Sequence, residues 1–312
     1  MNDWKPSARM EAIKCRAELT ARVRDFFRQR GVVEVSTPAI TACGVTDPNI
    51  DSIQLADGRF LRTSPEYWHK RLLAAGFGDL YEIGPVFRAG ESGHHHQPEF
   101  ILLEWYRVGW SWQPLAAEVA SLIQDCLDRG ERQRPVQYLS WNDGFRQRLG
   151  IDGLTAVGGE LEALAVDAPP DCSRDMLLDY LFATRIQPSF DPDTITVVYD
   201  YPAAQAALAR IRPGQTEVAE RFEVFVGPLE LANGYGELCD AEEQLARFQA
   251  DNRTRKSLDR RIMPIDTDLI EALRSGLPAC AGVALGMDRL VMMALDARDI
   301  REVITFPPGS IR

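Results

Sequence analysis

The chain has 312 residues, 45% of them hydrophobic and 26% charged, enough to build a sizeable core as one large domain or two small ones. Its formal net charge of -11 works against binding a nucleic-acid backbone, which is driven by counterion release at many Lys and Arg contacts, and reads first as solubility. The six cysteines are scattered without a CxxC pair, so neither a zinc site nor a disulfide framework is expected. No apolar run reaches membrane-span length and the N-terminus lacks the apolar core of a signal peptide, which makes reduced thiols in a cytoplasmic setting the default.

In chain order, Leu19, Val23, Phe26 and Phe27 fall at helical spacing, which predicts a helix from about Ser7 to Arg30 with Gly31 at its C-terminal cap. Val32 to Val35 reads as a short strand leading into Pro38. Thr41 to Arg59 is rich in turn formers, and Phe60 to Thr63 reads as a strand that delivers Thr63-Ser64-Pro65-Glu66 to a loop. Ser64 also reads as the N-cap of a following helix.

Tyr81 to Tyr106 reads as strand, polar loop and strand, a hairpin with a long loop. Arg88 ends the first strand, and Glu91, His96, Gln97 and Phe100 follow it; together they suit the clamping of a triphosphate and the stacking of a purine. Taken alone, Arg88 with Glu91 reads as a surface ion pair. Ala116 to Arg129 and Ser173 to Thr184 read as helices that pack around a sheet, and nothing between Trp110 and Gln187 suggests chemistry.

Thr194 to Tyr199, Arg221 to Val226 and Leu229 to Ala232 are expected as strands, the last two joined through Gly227-Pro228. Alternation puts Glu223 and Phe225 on one face, where the facing strand sets Glu230 beside them. Paired carboxylates in a sheet need a counter-charge, and a divalent metal with nucleotide phosphates supplies one; either acid alone also fits a half-exposed edge. Finally, Gly282-Val-Ala-Leu-Gly-Met-Asp-Arg289 joins a strand of small residues to a helix whose N-terminus and Arg289 suit phosphate.

These segments, in this order, resemble motifs 1, 2 and 3 of the class II aminoacyl-tRNA synthetases, most closely the lysyl-tRNA synthetase form. The resemblance implies an α+β fold with an antiparallel sheet flanked by helices: one catalytic domain over residues 1–312, motif 1 at about 7–38, motif 2 at about 81–106 and motif 3 at about 282–293. It implies ATP and Mg²⁺ as cofactors and a homodimer built on motif 1, whose apolar stripe would otherwise face water. Arg88 and Arg289 would be the catalytic cations. ATP would contact Arg88, Gly90, Glu91, His96, Gln97, Phe100, Glu230, Leu231, Gly286 and Arg289, and Glu223 with Glu230 would hold the metal. The amino acid would lie against Ser64, Pro65, Glu66, Glu104, Tyr106, Asn233, Tyr235, Glu237 and Ala284.

Two residues depart from the lysyl pattern. Ala284 stands where those enzymes carry glycine, and Gly90 stands at an acidic position of motif 2, with Glu91 next to it. The chain starts almost directly at the motif 1 helix, without the OB-fold that reads an anticodon, and so resembles the elongation factor P lysine ligases. That resemblance implies β-lysine as substrate, (R)-β-lysine in that family, and elongation factor P as acceptor, with no tRNA and no membrane partner. The rival readings are a stand-alone enzyme that charges tRNA and a catalytically silent regulatory paralogue.

Overall fold

The computed structural model describes residues 4–128 and 133–307. Its ten strands among those residues are β1 (Val33–Glu34), β2 (Ile40–Thr41), β3 (Phe60–Leu61), β4 (Leu80–Phe87), β5 (Glu99–Val108), β6 (Val136–Ser140), β7 (Ile195–Pro202), β8 (Val218–Val226), β9 (Leu229–Gly236) and β10 (Cys280–Gly286). The helices are α1 (Met10–Gln29), α2 (Glu66–Ala74), α3 (Trp112–Leu127), α4 (Trp141–Leu149), α5 (Gly158–Leu164), α6 (Arg174–Leu181), α7 (Ala241–Ser257), α8 (Thr267–Gly276) and α9 (Met287–Leu295). Eight strands form one sheet in the order β1-β4-β5-β10-β9-β8-β7-β6, and β2 pairs with β3 apart from it. The sheet is antiparallel except at its two edges, where β1 joins β4 and β6 joins β7 in parallel.

Alternation along the strands gives the sheet two unlike faces. One carries Leu103, Trp105, Phe222, Val224, Val283 and Leu285, which pack against Leu19, Val23 and Phe27 of α1, Leu115 and Val119 of α3, and Leu290 of α9. The stripe read from α1 is therefore spent on this core. The other face is covered only at its ends. Leu73 of α2, Phe248 of α7 and Leu269 of α8 pack there with Tyr106 and Cys280, while α4, α5 and α6 pack with Val198, Tyr201 and Phe225. Between the two groups of helices the middle strands line a trough.

Helix α1 ends as the sequence predicts: Gly31 takes φ +68° and the Val32 N–H returns to the Phe27 carbonyl. Helix α3 begins a turn before Ala116 because Pro114 is tolerated in a first turn; Arg129, its expected end, lies outside the described residues. The helix expected to Thr184 gives way after Leu181 to one π-helical turn, Phe182–Ile186. At α2 the N-cap position belongs to Pro65, and Ser64 Oγ accepts the Glu66 N–H from one residue further out.

Candidate active site

Strand β10 orders the site. Gly282 pairs with Tyr106 and Tyr235, Ala284 with Glu104 and Asn233, and Gly286 with Leu102. Directly opposed residues of antiparallel strands share a face, so Glu82 opposite Glu104 and Glu223 opposite Asn233 join the same row. At the usual rise per residue, Gly282 and Gly286 stand roughly 13 Å apart. All the expected site residues except Pro65 and Gly90 line one cavity of about 1180 Å³.

Acids and one lysine gather at the Gly282 end. Lys70 Nζ is buried 2.7 Å from Glu66 Oε1 and 2.7 Å from Glu237 Oε2. The helix sets this geometry, since Glu66 and Lys70 are one turn apart on α2. Burial pushes Glu237 up, to about 8, against the opposing charge of Lys70. Burial works the other way on Lys70, but Glu237 and Glu66 outweigh it and keep the ammonium charged. Glu104 accepts from Ser64 Oγ and from the Tyr106 hydroxyl, each at 2.8 Å. Behind it, buried His69 spans Glu104 and Glu82, and Glu82 is also paired with Arg62 at 2.8 Å. Asn233 Oδ1, the Tyr67 hydroxyl and both amide atoms of Gln244 are buried without a hydrogen-bond partner, and all three residues line the cavity.

At the Gly286 end, Arg289 Nη1 donates to the Glu230 carbonyl at 2.9 Å and lies 3.3 Å from its carboxylate. Its Nη2 approaches His96 Nε2 at 2.7 Å, so that nitrogen acts as acceptor; burial, then the Arg289 charge, hold the His96 imidazole below its usual range. Arg88 lies over the Phe100 ring, 5.1 Å from its centre, and its pair with Glu91 is long at 3.5 Å. Gly90 takes φ +77°, a conformation that disfavours an acidic side chain there.

Glu230 lies opposite Phe225, on the face of Glu223 where the sequence reading put it, but through a register shift between Val224 and Phe225 that the reading did not contain. The extra residue is Leu231, whose side chain turns into the core, so only its backbone is left to face a nucleotide. Without this bulge Glu230 would point to the core face; with it, Glu230 shares the cavity with Glu223.

A family model described as tRNA synthetases class II (D, K and N) matches residues 2–310. The chain belongs to that family. Among its relatives, the elongation factor P--(R)-beta-lysine ligases of Vibrio vulnificus and Yersinia enterocolitica are each 44% identical to it over 98% of both chains. The ligase of the same name from Photorhabdus laumondii is 44% identical over 97% of both.

The class II chain adds residues to the site that the sequence reading missed. Between Trp110 and Gln187, where no chemistry was expected, Trp141, Asp171, Ser173, Asp175 and Asp179 line one wall of the cavity. Arg221 lies 2.6 Å from Glu223, and the Tyr201 hydroxyl donates to the same carboxylate at 2.6 Å. His69 and Gln244 gave no signal beyond helical spacing: the partners of His69 lie on β4 and β5, and Gln244 reaches the cavity from α7 without a hydrogen-bond partner.

Among the described residues no group of three or more His, Cys, Asp or Glu has metal-binding geometry. Glu223 and Glu230 still fit Mg²⁺, which is commonly held by one or two carboxylates with phosphate oxygens and water completing its shell. Burial raises the Glu223 carboxyl, Arg221 opposes this, and the Glu230 charge adds to the rise; a cation between the two acids would relieve that last effect. No helix among the described residues is long and apolar enough to cross a membrane.

Proposed function

We infer that this protein activates (R)-β-lysine with ATP and transfers it to the ε-amino group of a lysine on elongation factor P. The observation that carries the reading is the 44% identity, over 98% of both chains, with ligases named for that reaction. The site's layout suits it: cations stand at the nucleotide end of β10 and carboxylates at the amine end, with Ala284 between them. The reading takes residues 1–312 as one catalytic domain that associates as a homodimer.

Chemically, the substrate carboxylate attacks the α-phosphorus of ATP, the bond to the β-phosphate oxygen breaks, and pyrophosphate leaves. Arg88 and Arg289 offset the charge on the phosphates, while His96, Gln97 and Phe100 hold the ATP, with Phe100 as the stacking surface for adenine. Glu223 and Glu230 would hold Mg²⁺, which supplies further charge neutralisation when bound. At the other end, Glu66, Glu104, Tyr106 and Glu237 receive the two ammonium groups, with Ser64, Asn233 and Tyr235 as further walls. Asn233 Oδ1 gains a donor there, removing the cost of a buried unsatisfied acceptor. The acceptor amine then attacks the adenylate carbonyl, losing a proton, and AMP departs. Positioning and electrostatics supply the acceleration, with no nucleophilic side chain required.

Mass spectrometry of elongation factor P, incubated with the enzyme, ATP and each lysine isomer, tests the reading. The expected result is one added β-lysyl group on a lysine. Active ATP to pyrophosphate exchange with unmodified elongation factor P and charged tRNA would overturn it.

A further inference from the structure

The segment 252–263 closes on itself at the mouth of the cavity. Asn252 Nδ2 donates to the Met263 carbonyl at 2.9 Å, and the Met263 N–H donates back to Asn252 Oδ1 at 2.9 Å. Inside this clasp, Arg255 is 1% exposed and its guanidinium donates to the carbonyls of Arg261, Asp47 and Ile50 and to the Asp51 carboxylate. Loop 47–50, which it holds, forms part of the cavity wall, and so do Thr254 and Leu258 of the segment itself. The display is therefore rigid and fixed relative to the site.

What the segment displays is unlike the rest of a chain with net charge -11. Arg253, Lys256, Arg260 and Arg261 are exposed, with Asp259 as the exposed acid among them, and Leu258 and Ile262 beside them are each 55% exposed. Basic residues in the last turn of α7 offset its dipole, which accounts for Lys256 and the buried Arg255. Beyond the helix, Arg260 donates to the Pro48 carbonyl and Arg261 to Gln54 Oε1, but both stay exposed, and the two uncovered aliphatic side chains have no such account. Apolar anchors ringed by cations match the anatomy of a protein interface, whereas a phosphate backbone has no use for the anchors.

We propose that segment 252–263 is the docking surface for the protein acceptor, engaging an acidic patch near the lysine to be modified. This rests on the function proposed above. Opposite charge there orients the acceptor's acidic patch toward a face of this acidic enzyme that would attract it, an effect on association that weakens with salt. Loop 47–50, tied to the same Arg255, places the docked lysine at the cavity mouth.

The test separates the two half-reactions in the full-length enzyme. Arg253→Glu/Lys256→Glu and, independently, Ile262→Ser should leave ATP to pyrophosphate exchange within about twofold of wild type. Each should lower kcat/KM for elongation factor P by about tenfold, through KM, and the double variant should lose the salt dependence expected of wild type. Unchanged acceptor kcat/KM in both variants overturns the proposal. So does loss of tRNA binding in a variant that still modifies elongation factor P normally, which would assign the cations to phosphates. Should the charge reversal impair exchange, Arg253→Gln/Lys256→Gln is read by the same criteria. A wild-type enzyme that exchanges pyrophosphate but never modifies elongation factor P overturns the functional reading, and this one with it.

Discussion

Ala284 is a single methyl set between Glu104 and Asn233 on the cavity face of β10. It takes space that an α-ammonium beside the carboxylate would need, and a substrate with its amino group one carbon further along is less affected. One methyl in a tight pocket changes discrimination by ~1 to 3 kcal/mol. The expected outcome is that Ala284→Gly narrows or reverses the β-lysine over α-lysine preference in kcat/KM by pyrophosphate exchange; an identical ratio in both proteins would leave Ala284 a packing residue. Arg289 is the second test. Its alanine variant should fold normally yet lose about 3 kcal/mol of transition-state stabilisation in adenylate formation, on the order of a hundredfold, and near-normal exchange would remove it from the mechanism. Glu237 makes the third prediction, on pH. Burial pushes this carboxyl up to about 8 even though the Lys70 ammonium beside it opposes the rise, and a protonated Glu237 cannot take the substrate's ammonium as a further partner. KM for the amino acid should therefore fall about tenfold per unit as pH rises toward that value and level off above it. A pH-independent KM across this range would contradict the assignment, and Glu237→Gln should abolish the dependence.

Strand β10 is the element on which the site depends. Its small residues let β5 and β9 bring their side chains close: a Cβ added at Gly282 would collide with the Tyr106 ring and the Glu237 carboxylate. At Gly286 an added Cβ would meet Arg289 Cδ at an ordinary 3.6 Å. The two glycines should consequently differ. Gly282→Ala should cost ~1 to 3 kcal/mol of stability from overpacking and weaken amino-acid binding, with ATP affinity retained in calorimetry. Equal loss for both ligands would mean general damage to the sheet instead. The hairpin of β4 and β5 was legible because its β-prone runs flank a polar loop. The bulge at Leu231 was not: Leu231 and Ala232 in succession break the alternation of ELAN, but such a break has several causes, and the extra residue is defined only by pairing with β8.

For the whole molecule, the expected homodimer has lost one of its supports. Leu19, Val23, Phe26 and Phe27 of α1 belong to the main core, so no apolar stripe there awaits a partner. Association through the region of residues 7–38 then rests on the family and on the exposed Met10, Val33 and Ile40. Light scattering at micromolar concentration should give the dimer mass, and a monomer would count against it.

The sequence by itself determined the family, the order of the motifs and the residue types proposed to meet ATP and a diamine, because each motif is a short run whose chemistry is local. It also determined that α1 is amphipathic. Tertiary structure alone decided which way that stripe faces. It decided too that Lys70 bridges Glu66 and Glu237, that Gln244 of α7 reaches the cavity, and that a one-residue bulge turns Glu230 toward Glu223. Each of those depends on pairing between segments far apart in the chain, and alternation within one strand carries no record of the register of its neighbour.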